Sequence, residues 1–513
     1  MEGDGRRHAG ATDDTATYPA LPRPRGPESD EQASPPFIAR RYPEQPPAPR
    51  QYPEQPSAPR RYPEQPSAPR RYLEQPPAPR RTTTLRAALF GVLAFLLFAP
   101  AAAVAYTTVR EEGGVTVAAQ ELPAGRDRDV GPGAPAGRSP APGGTHRPAP
   151  TTVDGRIRQA LADQAAALLA DDQDGFLAAV DPSAPALRDD LARRFGSLRQ
   201  LQVKVWQPTV KGKVRTEAGG TASAIVAVQY CFVVQACEPM GLEADTRWNV
   251  SGKAVTMLAF GTAKALGPRP WEASELHTAV GSRVVMSTTA KYASRLSSML
   301  ATAEKAAVLT DKFARWGSPP SRYVVYLAGP DEWASWYGIN QAAWVAGFAM
   351  PLNASATEIV VNAARIDTRQ ALDVLRHEFT HVVTLDGVEK AYPHTWWLVE
   401  GVAEYVRMKG AGNKPFDGMA DVRSYARSGR WDGTIALDDP PDGATTTDVS
   451  GRYGVAYLSL QHLAERYGED RLLDFFGYAV RQGVALGDAA PKAFGVSWDD
   501  IQAECAKAVR AHV

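Results

Sequence analysis

From Ala87 to Val109 no residue carries a charge. An uncharged run of that length suffices to cross a hydrocarbon core of about 30 Å as a helix, so it places the two halves of the chain on opposite sides of a bilayer. Arg80, Arg81 and Arg86 flank its N-terminal side, and Arg110, Glu111 and Glu112 follow it. The positive-inside rule then puts the N-terminus in the cytoplasm and the C-terminal domains outside, as a single-pass protein of the cell membrane with its span at 85–109. A rival exists in Ala103-Val104-Ala105, which has the form of a signal-peptidase site. A signal peptide behind a leader of that length would be unusual, so the reading here is an uncleaved signal anchor.

Residues 1–84 are rich in Pro, Arg, Gln and Glu and lack an aliphatic pattern. Such a tail buries too little apolar surface to offset its ordering entropy, and disorder is expected. Four decapeptides occupy 41–80, as in Arg61-Tyr-Pro-Glu-Gln-Pro-Ser-Ala-Pro-Arg70. Their prolines favour polyproline II, which serves either as a spacer or as a ligand for a cytoplasmic partner with aromatic-lined grooves. Residues 110–152 form a Gly/Pro/Ala linker. Lys plus Arg and Asp plus Glu both number 57, so no electrostatic footprint for nucleic acid exists.

Residues 153–275 read as a small α+β domain. Helical spacing from Ile157 to Val180 precedes apolar and alternating runs between Leu201 and Phe260, the clearest at 224–234. That order resembles the cone-shaped fold of the nuclear-transport-factor-two superfamily. Cys231 and Cys237 are close enough to form a small disulfide loop in an oxidising compartment, leaving Cys505 unpaired; three buried thiols is the equal alternative. His277 stands alone and reads as structural.

Residues 280–513 change pattern again. An amphipathic helix at Ala290–Trp316 precedes strands at Arg322–Leu327 and Thr357–Asn362, and the chain from Thr368 onward is mainly helical. Asp367-Thr-Arg-Gln370 reads as a capping box. The helix behind it carries His377-Glu378-Phe-Thr-His381, where the spacing of four points both imidazoles the same way and sets Glu378 beside them. Catalytic zinc takes three protein ligands and leaves one position open. Eighteen residues separate His381 from Glu400, an acid beside Gly401 in the apolar stretch Trp396–Tyr405. A carboxylate there is costly unless paired or metal-bound. His394 and His462 lack ligand spacing.

The motif, the gap and Trp397-Leu-Val-Glu400-Gly-Val-Ala-Glu404-Tyr405 resemble the gluzincin clan of zinc peptidases, closest to its peptidase-MA-like branch related to the large zinc aminopeptidases. The metzincin pattern fails, since Thr384 stands where it needs glycine. The resemblance implies a small mixed sheet plus a helical half, Zn2+ on His377, His381 and Glu400, Glu378 as general base and Glu404 behind a ligand imidazole. It aligns Tyr453, in Tyr453-Gly-Val-Ala-Tyr457, with a transition-state tyrosine; core packing is the competing reading. It also implies that Glu358–Asn362 is the edge strand along which peptide or protein substrate lies, with an internal strand as the alternative. The amine-binding Gly-x-Met-Glu-Asn signature is missing, because Gly347-Phe-Ala-Met-Pro351 lacks the acid, so an endopeptidase is expected. The competing class is a catalytically silent zinc module for binding or assembly at the cell envelope; a scaffold organised by the proline repeats is a third.

Overall fold

The computed structural model describes residues 150–339, 345–412, 414–441 and 443–513. The expected tail, the span at 85–109 and nearly all of the linker lie outside these residues. Among the described residues no helix is long and apolar enough to cross a membrane.

The first layer is helical. Helix α1 (Val153–Leu169) starts on Thr152, whose side chain accepts from Gly155 N. It ends before Val180, because the chain turns at Asp171 with φ 64° and restarts on the Asp172 cap as α2 (Gln173–Leu177). Helix α3 (Pro185–Gln200) opens on proline, whose missing N–H costs nothing at a first turn. An antiparallel meander follows: β1 (Val203–Glu217), β2 (Thr221–Phe232), β3 (Met240–Ser251) and β4 (Ala254–Phe260). The alternation in β2 buries Ala222, Ala224, Val226, Val228 and Tyr230 against Ile157, Leu161 and Phe195. Cys231 and Cys237 are joined in a disulfide at the β2–β3 turn, and Cys505 is a buried free thiol. Of the two cysteine readings, the structure contains the disulfide.

After α4 (Pro270–Ala273) come β5 (His277–Val280), β6 (Val284–Thr288), α5 (Leu296–Thr310), β7 (Tyr323–Ala328), α6 (Pro330–Ser335), β8 (Gly347–Pro351) and β9 (Thr357–Asn362). Their sheet has the order β5-β6-β7-β9-β8. β6, β7 and β9 run parallel, while β5 and β8 pair antiparallel at the ends. Glu358–Asn362 is therefore interior, and the edge beside it is Gly347–Pro351. This corrects the edge-strand expectation. The physical signal was present in Pro351, which has no N–H to give a neighbour and is tolerated at a sheet edge.

Both faces of this sheet are covered, as central parallel strands require. Val284, Met286, Val325, Leu327, Ile359 and Val361 share one core with α5 and with α7 (Thr368–Leu385). Val285, Val324, Tyr326 and Val360 share the other with Trp206, Tyr230, Trp248 and Trp271 of the small domain. Inside that second core Glu358 is fully buried, accepting from Tyr337 Oη at 2.6 Å and Tyr326 Oη at 3.5 Å. Arg269, also buried, lies over the Tyr337 ring at 5.7 Å. The helical half continues with α8 (Trp396–Ala411), α9 (Met419–Arg427), α10 (Thr446–Tyr467), α11 (Glu469–Phe476), α12 (Leu486–Phe494) and α13 (Trp498–Arg510).

Candidate metal centre

Helix α7 begins where the sequence places its cap: Asp367 accepts from Arg369 N and Gln370 N at 2.9 Å, and Gln370 answers by accepting from Asp367 N at 3.0 Å. The helix packs between the sheet and α8, so both imidazoles of its motif are buried. Helix α8 meets α10 at Gly401, where a Cβ would stand 2.7 Å from Leu460 Cδ1. That close approach explains the glycine after Glu400. It brings the Glu400 face and Tyr453 toward the same point.

His377 Nε2, His381 Nε2 and Glu400 Oε2 converge. The separations are 3.1 Å between the two nitrogens, 3.1 Å from His377 to the carboxylate and 3.5 Å from His381 to it. Ligands held tetrahedrally about 2.0–2.2 Å from zinc stand roughly 3.3–3.6 Å apart, so this donor set fits that ion in type and comes within a few tenths of an ångström in spacing. The charges fit too. Glu378, Glu400 and Glu404 are all buried around the two imidazoles. Burial pushes the His377 pKa down, yet hydrogen bonds to Glu400 and Glu404 outweigh it and hold it at about 10, a field that favours a cation. Burial would raise the carboxyl of Glu400, but the charge on His381 and its bonds to both imidazoles hold it at about 2.

Glu404 lies behind the imidazole, with Oε1 2.8 Å from His377 Nδ1. A carboxylate at Nδ1 fixes the ring so that Nε2 faces forward. Glu378 sits under the edge strand: a Cβ on Gly347 would be 3.1 Å from its Oε1. Burial raises its pKa against the pull of His377 and His381. Tyr453 packs edge-on to Trp396 at 5.2 Å and lies 6.0 Å from the His377 ring. Burial first, then the carboxylate of Glu400, which accepts from its hydroxyl, keep that phenol protonated far above its usual range. A shallow groove runs from His381 along Ala349, Pro351, Asn353 and Leu385, between β8 and α7.

Among the described residues the other histidines stand apart, His512 with Nδ1 2.9 Å from Ala508 O. His394 pairs with Asp438 at 2.9 Å in an exposed position, His462 faces Glu504 at 3.9 Å, and His277 is exposed. Sequence reasoning missed two acids and a base. Arg407, one turn beyond Glu404, bonds to both Glu404 and Asp417. The signal was a basic residue at helical spacing from Glu404 on a buried face. Asp439 is half-buried, its carboxyl raised to about 6 by burial and by Glu400, and nothing in the sequence around it announced that position.

The site lies in an α+β domain whose match to a family model supports a hydrolase of the peptidase kind. Residues 341–430, which span β8 to α9 and hold His377, Glu378, His381, Glu400, Glu404 and Arg407, match the family model described as a peptidase of plants and bacteria. No curated protein matches the chain. Among solved structures the chain is similar to native yeast LTA4 hydrolase, at 11% identity and a TM-score of 0.32. That similarity covers 59% of this chain and 66% of the other, so the chain spans just under two thirds of the hydrolase's length.

Proposed function

We propose that the protein is a membrane-anchored zinc endopeptidase. The observation that carries the reading is the convergence of His377 Nε2, His381 Nε2 and Glu400 Oε2 to within 3.1–3.5 Å of one another, with Glu378 buried alongside. Zinc on these three residues would supply Lewis acidity and lower the pKa of a bound water to about 7.

The chain's own groups then divide the work. Glu378 takes the proton of the attacking water on its carboxylate and returns it to the leaving amine; a base whose pKa burial has raised suits both transfers. Tyr453 donates its phenolic hydrogen to the carbonyl oxygen as negative charge grows there. Glu404 holds His377 in register through Nδ1. β8 pairs only with β9 among the described residues, so its outer edge can take an extended peptide by main-chain hydrogen bonds. That strand, Gly347-Phe-Ala-Met-Pro351, holds no acid to capture a free amine, which supports internal cleavage.

The span at 85–109 would tether the catalytic part outside the cell membrane, with the 1–84 tail and its repeats facing a cytoplasmic partner. The Cys231–Cys237 disulfide supports an oxidising compartment for the C-terminal domains.

The test is zinc content and peptide-library cleavage by the purified protein. One zinc per chain is expected, lost in His381→Ala. Glu378→Gln should keep the metal and lose cleavage. Zinc bound by a wild type that cleaves nothing would favour the binding or assembly role instead, and a folded wild type without zinc would sink the reading.

A further inference from the structure

Behind the imidazole of His377 the side chains continue as an alternating chain of charge. Glu404 uses Oε1 for His377 Nδ1 at 2.8 Å and gives Oε2 to Arg407, which donates from Nε at 2.8 Å and holds Nη2 in ion-pair contact at 2.7 Å. The far side of the same guanidinium reaches Asp417, Nη2 to Oδ1 at 2.8 Å and Nη1 to Oδ2 at 3.4 Å. Arg407 is 2% exposed, with the Phe416 ring 5.4 Å from its carbon. The flat fork is thus engaged on two edges and covered on a face.

From this we infer that Arg407 is a positioning residue for the metal centre, acting through Glu404 and anchored by Asp417. The inference rests on the zinc reading above and deepens it. A glutamate on a helix has several rotamers, and one hydrogen bond to an imidazole leaves most of them open. The charge-assisted bond from Nε and the ion pair from Nη2 on Oε2 remove that freedom, which pins Oε1 at Nδ1 and leaves Nε2 aimed at His381 and Glu400. A lysine cannot substitute, because a single ammonium on a flexible stem cannot bridge both carboxylates in one plane. The clamp also crosses elements. Asp417 lies in the segment between α8 and α9, so the metal-facing side of α8 is fastened to the chain that leads into α9. A small cavity of about 20 Å3, room for about one water, borders Glu404, Arg407, Asp417 and Tyr453, so truncating the guanidinium would give water access to Glu404.

The experiment compares the full chain with Arg407→Met, Arg407→Lys, Asp417→Asn, Glu404→Gln and the double variant Arg407→Met/Glu404→Gln. Zinc affinity is read by competition with a chelator, kcat and KM on a peptide substrate, and folding by thermal melting. Arg407→Met is expected to weaken zinc binding about 10–100-fold and to lower kcat with KM within twofold, with no rescue by lysine. The double variant should be no worse than Glu404→Gln alone, because both remove one interaction. Zinc affinity within twofold of wild type in folded Arg407→Met, or losses that multiply in the double variant, would overturn the inference while leaving the zinc reading intact. A wild type that binds no zinc removes both. If Arg407→Met does not fold, Asp417→Asn decides: a loss of about threefold or more supports the clamp, and unchanged affinity overturns it.

Discussion

Tyr453 and Glu378 face the same small space from opposite elements, and their protonation states differ for one reason. Burial disfavours charge, so it keeps the phenol neutral and able to donate, and it raises the carboxyl toward a range where it can both take and return a proton. Replacing Tyr453 by Phe removes the donor and nothing of the ring packing on Trp396. The expected outcome is a fall in kcat of about a hundredfold with little change in KM, read by steady-state kinetics; unchanged turnover would assign the ring to packing alone. At this scale much was legible in advance. His377, Glu378 and His381 are neighbours by helical geometry whatever the rest of the chain does, and Glu400 and Glu404 are one turn apart for the same reason. Arg407 belongs to that helical face too. What spacing could not supply is its second partner, Asp417, because the helix ends at Ala411 and only packing returns that carboxylate to the guanidinium.

Helix α7 and strand β8 place the base between them. At the helix N-terminus Asp367 is held below its usual pKa, chiefly by the hydrogen bond from Gln370 N. A depressed folded-state pKa means that the stabilisation is present above the unfolded value of about 4 and is lost as pH falls through the folded value. Asp367→Ala is therefore expected to cost about 1 kcal/mol at neutral pH, and the gap between the two melting curves should narrow below pH 4. On β8, a side chain at Gly347 would press within 2.8 Å of Val374 Cγ1 as well as on Glu378. Gly347→Val should abolish or strongly reduce cleavage while zinc stays bound, since the residue displaced is the base and not a ligand. Equal kinetics would mean that β8 does not set the position of Glu378. The interior place of β9 and the edge place of β8 are decided by pairing. A short apolar run reads alike in either position, and Gly347-Phe-Ala-Met-Pro351 has the composition of neither a strong strand nor a helix.

Over the whole molecule the small domain and the peptidase-like sheet share a core, with Glu358, Tyr326, Tyr337 and Arg269 buried in the joint. Asn353, at the end of the groove, donates to Pro239 O in the turn beside the disulfide at 3.0 Å. A fragment starting at Ser282 would strip Trp206, Tyr230, Trp248 and Trp271 from Val285, Val324, Tyr326 and Val360, and would take Arg269 from beside Glu358. It should fail to melt cooperatively, whereas residues 150–513 should show one transition by near-ultraviolet circular dichroism and urea unfolding; an independently folding fragment would refute the shared core. The sequence by itself determined what depends on local rules: the capped helix, the facing imidazoles, the pair of acids one turn apart at Glu400 and Glu404, the change of pattern near residue 280. Only the tertiary structure decided which strand stands at the edge, that Arg407 and Asp417 stand behind Glu404, and that two domains read separately are joined through one face of a sheet. Periodicity says that a face must be buried, and it is silent on which distant segment buries it.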